Sequence, residues 1–176
     1  MAEEFFDVVN ARDEPIGRAL RREVHAKSLW HRAVHVLVFN AAGQVFLQKR
    51  SLRKDMSPGL WDSSCAGHVD AGEDYDAAAL RELGEELGIF ISAPPRRWFR
   101  LDAQPDTGWE FCWVYRLGND GPFVLHPEEI EAGEWLAPDE VTRQIATEPR
   151  KFTVPFRLIW RLSKAGSPGY HGSPDP

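Results

Sequence analysis

The sequence is short of cysteine, of long apolar runs and of positive charge, and each shortage excludes something. Two cysteines, Cys65 and Cys112, among 176 residues cannot make a disulfide framework. Each lies in an apolar or strand-like stretch where a buried thiol is the expected state. No run approaches the roughly 20 apolar residues of a membrane span. The opening MAEEFFDVVN has neither a basic n-region nor an apolar core of signal-peptide length. These features lead us to expect a soluble protein of a reducing, cytoplasmic compartment with no membrane partner. Lys and Arg number 21 against 27 Asp and Glu, a net charge of −6. That balance disfavours a stable nucleic-acid partner and requires any polyanionic substrate to meet positive charge locally. No internal repeat is present, and a homodimer is compatible with everything in the sequence.

What is there fits one domain over residues 1–165, long enough to bury about 70% of its unfolded surface without staples. Residues 1–30 read as a hairpin, Phe5 to Val9 and Ile16 to Leu20 around a polar turn, followed by a basic entry segment with Arg21, Arg22, His25 and Lys27. A hairpin over Ala33–Asn40 and Gln44–Arg50 follows, and His35 within it is expected to be a satisfied, partly buried side chain. Trp61–Ala66 reads as one short strand, Arg97–Ala103 and Trp109–Leu117 as two more, and Glu134–Leu136 as another. Pro138 opens a helix, and Phe152–Lys164 forms the last one. Residues 166–176, rich in Gly, Ser and Pro, are expected to be a disordered tail. Arg50, Arg53 and Lys54 sit in the loop before the central segment, and Arg50, Lys54 and Arg21 are candidate phosphate contacts.

The central segment is GHVDAGEDYDAAALRELGEELGI, Gly67 to Ile89. At 100° per residue, Leu80, Leu83 and Leu87 share one side of a helix over Asp74–Leu87, and Glu82, Glu85 and Glu86 gather on the other. Like charges one turn apart cost about 0.2–0.5 kcal/mol, which a hard divalent cation would relieve. A solvated glutamate face balanced by Arg81 is the plainer alternative.

The segment fits G-x5-E-x7-R-E-U-x-E-E-x-G-U, with U aliphatic, at Gly67, Glu73, Arg81, Glu82, Leu83, Glu85, Glu86, Gly88 and Ile89. Chance matches are on the order of 10⁻⁶ per chain. The pattern resembles the signature of the Nudix hydrolases. The resemblance implies an α/β/α sandwich around a central mixed β-sheet, with the signature helix on one face and the C-terminal helices on the other. It implies Mg²⁺ or Mn²⁺ as cofactor, with Glu82, Glu85 and Glu86 as ligands, Glu73 alongside and the Gly67 carbonyl as a further ligand. It also implies hydrolysis of a diphosphate bond in a nucleoside-diphosphate-type or related small molecule. The general base would be one of the three glutamates or an acid of the Glu128, Glu129, Glu131 loop. Arg81 would orient the glutamates.

Outside the signature, the chain resembles a subgroup that includes the Nudix-fold isopentenyl-diphosphate isomerases and related uncharacterised bacterial hydrolases. The likeness runs from about Phe5 to Trp160. In the isomerases a metal is held by three histidines and two glutamates. The matching positions are His25, His31, His68 and Glu110, with Gly108 in place of the first glutamate. The isomerase's catalytic cysteine falls at Ala66, and Cys65 lies one residue away, on the other face of a strand. An intact signature without that thiol favours a hydrolase. An isomerase-like enzyme and a non-catalytic ligand-binding module of the same fold are the alternatives. The resemblance leaves His25, His31, His68 and Glu110 open to a second metal, substrate contact or packing.

Overall fold

The structure is a computed structural model that describes residues 3–165, so the tail expected to be disordered, 166–176, lies outside the described residues. Two strands, β1 (Phe5–Val9) and β2 (Pro15–Leu20), form an antiparallel hairpin that leads into a short helix, α1 (Arg21–Ala26). The central sheet follows with β3 (His31–Phe39), β4 (Val45–Arg50), β5 (Trp61–Asp62) and β6 (Cys65–His68). After α2 (Tyr75–Leu87) come β7 (Arg96–Leu101), β8 (Glu110–Gly118), β9 (Ile130–Leu136), α3 (Pro138–Thr147) and α4 (Val154–Lys164).

The sheet is mixed: β3 and β8 run parallel, and the other pairs are antiparallel. Period-2 alternation along β3 serves two cores. Val34, Val36 and Val38 pack with Ala78, Ala79, Leu83 and Leu87 of α2. Leu37 joins Val114, Phe156, Ile159 and Trp160 on the opposite side, where Val141 of α3 also packs. This is the sandwich expected from the resemblance.

What positions the site is a fork in the sheet. β3 and β4 pair only at Phe39 and Val45, beside the turn. Beyond that point β6 takes the edge of β3, and β5 with β9 takes β4. The stretch expected as one strand, Trp61–Ala66, is therefore two strands with different partners. Ser64, between them, bridges the parting: its Oγ accepts from the Val38 N–H at 2.8 Å and donates to the Phe46 carbonyl at 2.5 Å. It substitutes for ladder bonds that β3 and β4 no longer make. Two other expectations need correcting. Glu134–Leu136 is the end of a seven-residue strand pairing all along β4, hidden in the sequence by its run of acids. Trp109 lies outside β8 at φ 66°, because it closes a turn in which its N–H bonds the Gln104 carbonyl and the Gly108 N–H bonds that of Pro105.

α2 starts where Asp74 accepts from the Ala77 N–H, an N-cap worth about 1 kcal/mol. It ends at Gly88 in the left-handed region (φ 67°), whose N–H and that of Ile89 bond back to Gly84 and Leu83. The buried stripe is Tyr75, Ala78, Ala79, Leu83, Glu86 and Leu87. Leu80 lies only partly inside it, and Glu86 lies fully inside, so the expected separation of leucine and glutamate faces is shifted.

Candidate active site

The signature glutamates have three different environments. Glu85 is exposed, Glu82 is mostly covered, and Glu86 is 3% exposed. Arg81 holds the outer part of the group. It donates to both oxygens of Glu73 (3.0 and 2.9 Å), to Glu82 at 2.7 Å, to Glu85 at 3.1 Å and to the His68 carbonyl at 2.9 Å. Glu86 is held from the sheet: Gln48 Nε2 and the Ala66 N–H both donate to its Oε2, at 2.9 and 3.1 Å. Gly67 has to lack a side chain, since an added Cβ would lie 2.0 Å from the Glu82 carboxyl carbon. Burial, then the neighbouring Glu86 charge, pushes the Glu82 carboxyl above the usual range, and burial raises Glu86 likewise.

A second cluster forms at the start of β3. His31 and Glu110 are paired across the parallel β3–β8 ladder, and His68 enters from β6, paired to Ala33. α1 adds His25. The donor atoms of His25, His31, His68 and Glu110 all lie within 4.8 Å of one another, and among the described residues this is the group with such metal-ligand geometry. His31 donates its Nδ1–H to the Leu29 carbonyl at 2.8 Å, which leaves the Nε2 lone pair facing the cluster. The Nε2 atoms of His25 and His31 are buried and make no hydrogen bond, and His31 Nε2 stands 3.4 Å from Glu110 Oε1. His68 Nε2 lies 3.1 Å from Glu110 Oε1. Phe6 covers the cluster, its ring centroid 4.5 Å from that of His68.

Burial and the neighbouring His68 and His31 lower the His25 pKa to about 4, and burial lowers His68 too. Burial alone would raise Glu110, but His31 and His68 draw it well below the carboxylate range. Glu110 is not a solvated strand end: its side chain is 16% exposed and lies against the His31 and His68 imidazoles.

Both clusters open on one cavity of about 970 Å³, at the upper end for small-molecule sites. Glu82, Glu85, Glu86, Gly67, His25, His68 and Glu110 line it, as do the three candidate phosphate-binding cations. Each of those cations already has an acidic partner. Arg21 pairs with Glu4 and Asp55 (both 2.9 Å), Arg50 with Asp62 (3.4 Å), and Lys54 with Glu129. Of the loop acids Glu128, Glu129 and Glu131, Glu129 lines the cavity. Glu73 stands behind Arg81 and His31 behind its cluster, and neither is part of the cavity wall.

Sequence reasoning left out several residues found here. His35 lines the cavity although it was expected only to pack. It is buried, 2.8 Å from Ser63 Oγ and 3.8 Å from Asp62, and burial lowers its pKa. Asp62, Thr153 and Trp109 also line the wall, and Gln48 lies directly behind Glu86. The Trp61–Asp62 dipeptide after a Pro-Gly turn was the available signal for Asp62, whereas Gln48 had none beyond one polar residue in an alternating strand. Ala66 faces the cavity, whereas Cys65 is fully buried in the α2-side core, its thiol pushed up by burial and then by Glu86. Among the described residues no helix is long and apolar enough to cross a membrane.

Comparison with known proteins agrees with this architecture. The family described as NUDIX domain matches residues 29–155. A Photorhabdus laumondii protein named isopentenyl-diphosphate Delta-isomerase 2 is 45% identical over 160 residues, covering 89% of this chain and 90% of that one. A Deinococcus radiodurans protein named Nudix hydrolase is 34% identical over 147 residues, covering 83% and 86%. The crystal structure of DR0079 from Deinococcus radiodurans superposes with a TM-score of 0.81 at 31% identity, covering 90% of this chain and 98% of that one. With the sandwich, the signature helix and these relatives in agreement, the chain belongs to the Nudix hydrolase family.

Proposed function

We propose that the protein is a Mg²⁺- or Mn²⁺-dependent hydrolase of a diphosphate bond in a nucleoside-diphosphate-type or related small molecule. The observation that carries this reading is the pair Glu82 and Glu86. Two buried carboxylates lie close enough to interact, each raised in pKa, and the missing Cβ of Gly67 leaves the room that Glu82 occupies. Two crowded, buried carboxylates, with Arg81 as neighbouring counter-charge only on Glu82, fit a hard divalent ion with oxygen ligands. Glu82, Glu85 and Glu86 would hold the ion, with Glu73 and the Gly67 carbonyl as further ligands. Bound there, it would neutralise charge on the diphosphate and lower the pKa of the attacking water.

The chain's own groups do the rest. Arg81 fixes Glu73, Glu82 and Glu85 in one array. Arg21, Arg50 and Lys54 give the cavity positive charge against an overall acidic surface, and a diphosphate would compete with Asp55, Asp62 and Glu129 for them. The general base is one of the signature glutamates or Glu129, the loop acid that reaches the cavity. The test is turnover of nucleotide sugars, dinucleotides, coenzymes and prenyl diphosphates with Mg²⁺ or Mn²⁺. Metal-dependent release of a phosphorylated product is expected. Ligand binding without hydrolysis of any of them would instead establish a binding module.

For His25, His31, His68 and Glu110 we infer a second divalent-ion site. Three imidazoles and a carboxylate, two of the ring nitrogens buried without a hydrogen bond, suit a borderline ion such as Zn²⁺.

This cluster and the 45% identical relative also favour a second reading, an isomerase. It needs a thiol or equivalent acid on the cavity wall at position 66, where Ala66 stands, and the Cys65 thiol lies in the core. We therefore expect no interconversion of isopentenyl and dimethylallyl diphosphate by wild type or Cys65→Ser. Activity in wild type that vanished in Cys65→Ser would restore the isomerase.

A further inference from the structure

β4 runs Val45-Phe46-Leu47-Gln48, and its first four residues are all buried, Gln48 at 1% exposure. A primary amide at that depth costs several kcal/mol unless its hydrogen bonds are made. Its amide nitrogen donates to Glu86 Oε2 at 2.9 Å, across the fork between β4 and β6. The Ala66 N–H reaches the same oxygen at 3.1 Å from the other side of the fork. Both N–H donors to Glu86 fall on this one oxygen, and none falls on the other. Oxygen alone would not distinguish two orientations of a carboxylate, but this pair of donors does.

We propose that Gln48 is a positioning residue for the cation site, fixing which oxygen of Glu86 meets the ion, and that the sheet fork exists in part to let it reach. The proposal rests on the metal-dependent reading given above. Arg81 arranges the exposed side of the signature, and Gln48 arranges the buried side. The two do not touch, because Arg81 contacts Glu73, Glu82 and Glu85, whereas Gln48 contacts Glu86. Outer groups that orient a ligand in this way typically change metal affinity by about 10–100-fold when removed. A glutamine that merely filled the core would change stability and leave the ion alone.

The test compares wild type, Gln48→Met, Gln48→Asn and Glu86→Gln. Gln48→Met keeps the shape and removes the donor, whereas Gln48→Asn keeps the amide but withdraws it by one methylene. Mn²⁺ binding is followed by electron paramagnetic resonance in the absence of substrate, counting the sites lost in Glu86→Gln as the signature site. Thermal midpoints are recorded for every variant. Turnover is measured on whichever diphosphate the panel identifies. We expect the Glu86-dependent Mn²⁺ affinity to fall roughly tenfold or more in both Gln48 variants, with kcat reduced and KM for substrate nearly constant. Should Gln48→Met fail to fold, Gln48→Asn alone decides the matter. Unchanged Mn²⁺ affinity in a folded Gln48 variant, whatever its thermal midpoint, overturns the positioning role while leaving the hydrolase reading intact. Equal Mn²⁺ binding by wild type and Glu86→Gln overturns both.

Discussion

The two donor clusters on the cavity differ in how far the protein itself satisfies them. In the signature segment every glutamate has a protein partner: Arg81 on Glu73, Glu82 and Glu85, and Gln48 with the Ala66 N–H on Glu86. In the histidine cluster two buried ring nitrogens make no hydrogen bond, that of His31 standing 3.4 Å from Glu110 Oε1. The residues that separate the two are consecutive: Gly67 touches Glu82, and His68 joins the imidazoles. A site with its own counter-charges tolerates an ion that comes and goes, whereas buried orphan donors favour one that stays. On this view, the signature is where chemistry is done and the histidines hold a resident ion.

The largest effect should come from breaking that division of labour. Glu86→Gln is expected to lower turnover by about 10²–10³-fold, the scale of losing one preorganised charge-stabilising group. It should nevertheless keep the thermal stabilisation by Zn²⁺ that the histidine cluster supplies. His31→Ala should lose that stabilisation. Saturation at 100 times Kd corresponds to about 2.7 kcal/mol, or roughly 5–10 °C for a chain of this size. Zn²⁺ protection lost equally in both variants would merge the two sites into one.

A second comparison uses two glycines with the same steric problem. An added Cβ at Gly67 would lie 2.0 Å from the Glu82 carboxyl carbon, and one at Gly133 would lie 2.0 Å from the Phe46 ring. Gly67→Ala and Gly133→Ala should each cost about 1–3 kcal/mol in urea unfolding. Only Gly67→Ala should also lose most of its turnover, because it displaces a proposed ligand. Parallel losses of activity in the two variants would mean that Gly67 acts through stability alone.

The helix and its signature were legible because spacing on a 3.6-residue period survives any tertiary context. Asp74 and Gly88 also carry local capping chemistry, and the caps fall within one residue of the expected ends. The fork was not legible. It depends on which strand β5 and β6 each choose, and Trp61 to Ala66 carries no mark of the switch except Ser63-Ser64. β9 was shortened because acids in a strand read as a loop. Gln48 was passed over because a polar residue in an alternating strand reads as a solvent face, and His35 because a histidine in an apolar strand reads as packing alone; both strands here are covered on both faces. The histidine cluster was named from the resemblance, but what marks it as a site is the orphaned Nε2 atoms, which only coordinates reveal.

The smallest effect, and the one that separates the clusters by sign, is the pH dependence of stability in metal-free protein. His25 titrates near 4 in the folded state against about 6.5 unfolded. As pH falls from 7 to 5 the unfolded chain takes up that proton first, so this cluster loses stability on acidification, with His68 acting in the same direction. Glu110, lowered, adds to the loss only below the ordinary carboxylate pKa of about 4.5. Glu82 and Glu86 are raised instead, so the folded state takes up protons first there and the signature gains stability over the same range. The two slopes oppose one another. Discounted for partial exposure, the His25 contribution is about 1 kcal/mol between pH 7 and 5. Wild type should therefore show a shallow slope in urea midpoints. His25→Ala should tilt it toward greater stability at pH 5, and Glu86→Gln, which relieves Glu82, should tilt it the other way. Tilts of the same sign in the two variants would show that the clusters are one electrostatic unit.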